Sequence, residues 1–178
     1  MPLRTLVIVA WGLFGLYWLV AAVGAKEGSR TRHTGSPGLL LLTAFVLIRV
    51  FNADSLAVHS SALRVVGLVL LGSGLGVAVW ARIYLGRNWG MPMTEKNEPE
   101  LVTSGPYRLV RHPIYSGLLL AIMGTALATN LYWLIALALI GVYFVYGARV
   151  EERLLVKSFP AAYPSYRLRT KMLIPFVL

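Results

Sequence analysis

Uncharged apolar runs alternate with short basic segments along this chain, and the alternation predicts helices that cross a membrane. The first run, Leu6 to Gly24, is about 19 residues, enough for a helix to span roughly 30 Å of hydrocarbon. Val23-Gly24-Ala25 resembles a signal cleavage site, but the run is read as a retained span. Gly35 to Ile48 is shorter and closes on Arg49, whose long side chain can reach the interface from within a helix end. Val65–Ala81 is a third run, bracketed by Arg64 and Arg82. Pro113–Ala148 carries no charge over about 36 residues, which as one helix would measure about 54 Å. Two spans fit if the chain turns near Thr129-Asn130, giving a helical hairpin.

Five spans result, and the fold class is all-α. Lysine and arginine gather at Lys26–Arg32, Arg82–Arg111 and Arg149–Lys171, while Asn52–Ala62 and the Thr129-Asn130 turn are nearly free of them. This asymmetry places the amino terminus outside, and the basic loops and tail in the cytoplasm. Pro160 and Pro164 should break any helix begun at Arg149. The chain divides into a three-helix membrane scaffold over 1–85 and a second part over 86–178 that carries the chemistry, within one domain.

Composition agrees. The chain has 178 residues, 57% hydrophobic and 13% charged, with mean hydropathy +0.69. A soluble domain has roughly 25% charged residues. The net charge of +10 flanks apolar runs and forms no soluble basic face, so it points to lipid headgroups rather than nucleic acid. The absence of cysteine removes thiolate chemistry, and His33, His59 and His112 lack metal-ligand spacing, so no metal site is expected. No feature points to an obligate protein partner.

Two glycine patterns need weighing. Gly72-Ser73-Gly74-Leu75-Gly76 follows no strand, so it is not a nucleotide loop; Gly72 and Gly76, four apart, suit close helix approach. The polar stretch Gly105–Gly117 abuts the longest apolar run. Pro113 suits a first helical turn and biases His112 away from helix, so a helix N-terminus with free amides faces the basic side. Glu151-Glu152 follows the fifth span on that side. Alone, this pair reads either as solvated charge beside arginines or as carboxylates binding an ammonium group or ribose hydroxyls. His112 alone is equally open, as structural or catalytic.

Taken in order, Gly105-Pro106-Tyr107, Arg111-His112-Pro113-x-Tyr115-x-Gly117, Glu151-Glu152 and Tyr163-x-x-Tyr166-x-x-Arg169 resemble the isoprenylcysteine carboxyl methyltransferase family, related to the phospholipid methyltransferases. The resemblance covers about Leu101–Pro175. It implies a membrane enzyme that uses S-adenosylmethionine, enclosed by cytoplasmic segments and the tail, and a lipophilic or prenylated acceptor that enters between helices. It implies that Tyr107, His112, Pro113, Tyr115 and Gly117 line the cofactor pocket and that Glu151 and Glu152 hold its polar groups. Arg169 would orient an anionic acceptor, with Arg149 and Tyr166 in support. Arg-His-Pro-x-Tyr also occurs in sterol-reductase-like proteins, so an NADPH-dependent reductase and a non-catalytic membrane binding protein remain as alternatives.

Overall fold

The computed structural model describes residues 3–22, 28–30, 56–89, 94–96 and 100–175. Among them lie helices α1 (Leu3–Ala22), α2 (Ser61–Leu85), α3 (Pro113–Ala128), α4 (Trp133–Ser158) and α5 (Ala162–Arg169), with 3-10 turns at Gly86–Asn88 and Gly105–Arg108. Two short strands, β1 (Gly28–Arg30) and β2 (Thr94–Lys96), pair antiparallel with Ser29 opposite Glu95. The architecture is otherwise helical, as the apolar runs predict. The second expected span, Gly35–Ile48, lies outside the described residues.

Helices α1, α2 and α4 are long and apolar enough to cross a membrane. Their outer faces expose large apolar side chains such as Ile8, Leu19, Val69 and Val142, which only lipid would accommodate. The hairpin turn falls at Thr129-Asn130 as expected, but its limbs are unequal. Helix α3 has 16 residues and α4 has 26. At 1.5 Å per residue α4 is about 39 Å long, so its last turns carry Glu151 and Glu152 beyond the apolar part. Pro160 follows the end of α4. Pro164, expected to break a helix, instead sits in the first turn of α5, where a missing amide hydrogen costs nothing.

The main packing seam joins α2 to α3. Here glycines face glycines. A Cβ on Gly67 would lie 2.7 Å from the Gly124 carbonyl oxygen, and one on Gly124 would lie 2.5 Å from that of Gly67. Gly74 and Gly117 are matched the same way, at 2.5 and 2.6 Å. Backbones this close are held by van der Waals contact, the main attraction between helices in lipid. Gly72 and Gly76 lie on another face: among the described residues both are exposed and nothing approaches their missing side chains within 4 Å. Helix α1 joins the seam through Val7, packed with Leu71, Ala121 and Ala128, and through Trp11, whose indole N–H donates to Thr125 Oγ1 at 3.0 Å.

At the Thr129 end, residues 56–58 pair with the hairpin turn: Val58 N donates to Thr129 O at 3.0 Å, and Leu131 N donates to Leu56 O at 3.0 Å. At the opposite end, the chemistry-bearing segments converge.

Candidate active site

The Gly105–Gly117 stretch begins with a glycine that no other residue replaces easily. Gly105 has φ +57°, and a Cβ there would meet the Tyr84 ring at 2.5 Å. The positive φ turns the chain into the 3-10 turn, with Pro106 in its first turn, and brings Tyr107 under the tail. Val110 then pairs in parallel with Lys171. Arg111 N donates to Lys171 O at 2.8 Å, His112 N to Met172 O at 3.1 Å, and Ser116 Oγ to Leu173 O at 2.5 Å. Tyr166 donates its hydroxyl to Tyr107 O at 2.6 Å. Leu173 is buried with Tyr115, Phe144 and Ala148. The tail is therefore a strap along the polar stretch, fixed mainly through backbone atoms.

Beneath the strap lie both carboxylates. They are adjacent on α4 and so point in different directions, yet His112 reaches both. Its Nδ1 is 3.4 Å from Glu151 Oε2 and its Nε2 is 3.5 Å from Glu152 Oε1. The second contact is at the limit of a hydrogen bond, and by alignment Nε2 has no hydrogen-bond partner among the described residues. Glu151 also accepts from Tyr115 Oη at 2.5 Å. Glu152 is 5% exposed and accepts from Arg111 Nε at 2.7 Å, with Arg167 Nε 3.6 Å from its other oxygen. Arg111 Nη1 donates further to the carbonyls of Thr170 and Arg167. The rings of His112, Tyr115 and Phe144 form a near-parallel column, with centroids 5.5 and 4.4 Å apart.

Burial and charge act in opposition on His112. Burial disfavours its protonated form, but the two carboxylates more than offset this and hold its proton affinity above the ordinary value. Burial, with the nearby carboxylates, keeps the phenols of Tyr107 and Tyr163 neutral well above the usual tyrosine range. It pushes Tyr166 up to about 12, against the pull of Arg111. Tyr163 is fully buried, and its hydroxyl has no hydrogen-bond partner among the described residues.

Of the residues singled out by sequence, Tyr107, His112, Pro113, Tyr115, Glu151 and Glu152 are gathered at this end of the bundle. Gly117 faces the α2 backbone and positions the helix. Tyr166 lies in the strap, bonded to Tyr107. Arg149 and Arg169 are exposed, and Arg169 Nε donates to Ser165 O at 3.2 Å within its own helix. Arg111 was given no role by sequence reasoning, yet it joins Glu152 to the strap. Its sequence signal was its place at the head of the Arg111-His112-Pro113 motif, where the residue alone reads as one more interfacial cation.

The phospholipid methyltransferase family matches residues 62–162, more than half of the chain. The cobalt-zinc-cadmium resistance protein CzcN of Cupriavidus metallidurans is 35% identical over 94 residues, 51% of this chain and 43% of that protein. Methanethiol S-methyltransferase 2 of Bradyrhizobium diazoefficiens is 42% identical over 69 residues, 39% of this chain and 26% of that protein. The chain thus spans less than half the length of these two relatives. The eukaryotic intramembrane Ras methyltransferase, an isoprenylcysteine carboxyl methyltransferase, superposes with TM-score 0.63 at 22% identity, over 83% of this chain and 55% of that one. The chain belongs to the phospholipid methyltransferase family and has the membrane fold of the isoprenylcysteine carboxyl methyltransferase.

Proposed function

We propose that this protein is an S-adenosylmethionine-dependent methyltransferase whose acceptor is a lipophilic carboxylate of the isoprenylcysteine type. The observation that carries this is the carboxylate pair Glu151 and Glu152, held around His112 beneath a strap of the chain's own tail.

The residues fit such a cofactor by their donor and acceptor types. Its ammonium group and ribose hydroxyls need acceptors, and Glu151 and Glu152 supply carboxylate oxygens. Among the described residues, His112 Nε2 and the Tyr163 hydroxyl are buried with no hydrogen-bond partner, as expected of a polar pocket completed by a ligand. Tyr107, Tyr115 and Pro113 supply its walls. When bound, the cofactor supplies an electrophilic methyl group on a sulfonium.

The chain's task is then alignment and exclusion of water, which together can lower a barrier by roughly 7–11 kcal/mol. A proton acceptor is not required when the methyl acceptor is already an anion. An amine acceptor would instead need a proton acceptor, with Glu152 or His112 as candidates. Arg149 and Arg169, both exposed, are suited to drawing an incoming anion toward the strap, with Tyr166 behind them. The lysines and arginines of the loops and tail support a cofactor side in the cytoplasm, with the amino terminus outside. Surrounding lipid is the remaining partner.

Calorimetry of S-adenosylhomocysteine binding to the detergent-purified chain, with NADPH in parallel, tests this reading. Saturable micromolar binding of the first alone is expected. Binding of NADPH alone would move the protein to the reductase class, and binding of neither would leave a non-catalytic membrane role.

A further inference from the structure

Arg82 is unlike the other arginines near this site. It is 5% exposed and lies in the last turn of α2. Nη1 donates to Gly86 O at 2.6 Å, and Nη2 donates to Ala21 O at the end of α1. Its guanidinium carbon is 4.8 Å from the centroid of the Trp89 ring, which in turn meets Trp18 edge-on at 5.7 Å. Among the described residues no carboxylate pairs with it, and its Nε is buried with no hydrogen-bond partner. Nearby in sequence, Asn88 donates to Glu100 at 2.8 Å while its own Oδ1 is buried and unmatched.

A buried cation with two carbonyls and a ring face has its dipoles supplied but not its counter-charge. The position is also connected to the site. Tyr84, two residues on, rests against Gly105, and Tyr107 has both Arg82 and Glu151 as electrostatic neighbours. The walls on the Arg82 side are tryptophans, whereas the Glu151 side is polar. An anion completing Arg82 would therefore belong to a molecule with an apolar body.

We propose that Arg82 holds the carboxylate of the methyl acceptor, so that the helices read from sequence as scaffold supply the acceptor's anchor. This rests on the methyltransferase reading. It differs from a role for Arg149 or Arg169 in that the anion is held where water is excluded. Arg82 acts here as a positioning residue for the acceptor.

The probes are an S-prenylated N-acetylcysteine and its neutral methyl ester. Their affinities are measured on the full chain with S-adenosylhomocysteine present, for wild type, Arg82→Gln and Arg82→Lys, alongside thermal unfolding. Wild type is expected to prefer the acid. Arg82→Gln should cut that preference by about 30-fold or more, with ester and S-adenosylhomocysteine affinities unchanged. A purely structural arginine would weaken acid and ester alike. Should Arg82→Gln fail to fold, Arg82→Lys keeps the cation but not the fork, and should still lose most of the preference. Retention of the acid preference in a folded variant overturns the inference. So does loss of S-adenosylhomocysteine affinity alone, which would assign Arg82 to the cofactor's carboxylate. A wild type that binds S-adenosylhomocysteine but does not prefer the acid overturns the inference and leaves the methyltransferase reading standing. A wild type that binds no S-adenosylhomocysteine overturns that reading itself.

Discussion

Arg111 Nε lies 2.7 Å from Glu152 Oε1, and both side chains are nearly excluded from solvent. This ion pair joins three separate parts of the chain. Arg111 precedes α3, Glu152 lies on the outer turns of α4, and Arg111 Nη1 donates to the carbonyls of Arg167 and Thr170 in the strap. Removing the cation leaves Glu152 buried with, among the described residues, His112 and the exposed Arg167 nearby. Breaking a buried pair by deleting one partner costs about 3–5 kcal/mol.

Arg111→Gln should therefore lower the thermal midpoint sharply and free the tail. Limited proteolysis should cut after Lys171 or Arg169 in the variant well before wild type. Arg111→Lys should rescue only part of this, because a single ammonium cannot reach the carboxylate and two carbonyls in the guanidinium's fork geometry. Equal protection of the tail in all three proteins would show that the backbone bonds at Arg111 and His112 suffice.

This contact also marks a boundary of what the sequence reveals. Pro113 announced the helix start, and the Thr129-Asn130 turn was legible because an uncharged run of that length cannot be one span. The Gly105–Gly117 stretch and the Glu151-Glu152 pair stood out as polar groups against apolar neighbours. Arg111 lies inside that stretch but received no role of its own, because charge at a span boundary is the ordinary pattern. Only the three-dimensional return of the tail distinguishes it from Arg108, which remains exposed. Arg82 was hidden in the same way, as the bracket of a span.

Glu152→Gln should weaken S-adenosylhomocysteine binding by about tenfold or more, the effect of losing one charge-assisted hydrogen bond of about 1.5–3 kcal/mol. Glu151→Gln should weaken it as well, and Tyr115→Phe less, since Tyr115 acts by orienting Glu151. Calorimetry at fixed pH measures all three. Unchanged affinity in both carboxylate variants would return the pair to a structural role.

The pH dependence of stability follows from His112. Its folded-state proton affinity is raised above the ordinary 6.5 by Glu151 and Glu152, against the opposing effect of burial. The folded chain then binds the proton more tightly than the unfolded chain. That contribution is fully present below about pH 6.5 and is lost as pH rises through the raised folded value. The thermal midpoint of wild type should fall from pH 6 toward pH 9, and His112→Gln should flatten the slope. An unchanged slope in the variant would assign the pH dependence to groups elsewhere.

The α2–α3 seam offers a test with a built-in control. Gly67 and Gly74 are seven apart, as are Gly117 and Gly124, and seven residues return a helix to nearly the same face after two turns. The two pairs therefore line up across one interface. Gly72 and Gly76, four apart, share a different face, which is exposed. Spacing alone could not choose between the faces, because both satisfy a small-residue repeat. A methyl group at Gly74 or Gly124 would lie 2.5 Å from the facing glycine's carbonyl oxygen, and backbone cannot rotate aside as a side chain can. Gly74→Ala and Gly124→Ala should each cost about 1–3 kcal/mol or more through overpacking. Because α3 also carries the His112–Ser116 turn, either change should displace the strap's anchor and reduce S-adenosylhomocysteine affinity. Gly72→Ala and Gly76→Ala should be neutral or slightly stabilising, as alanine is the better helix former by about 0.8–1.0 kcal/mol. Thermal unfolding of the four variants decides the matter. Similar losses at all four positions would mean that the exposed face is also packed, most simply against a second copy of the chain or the span over 35–48.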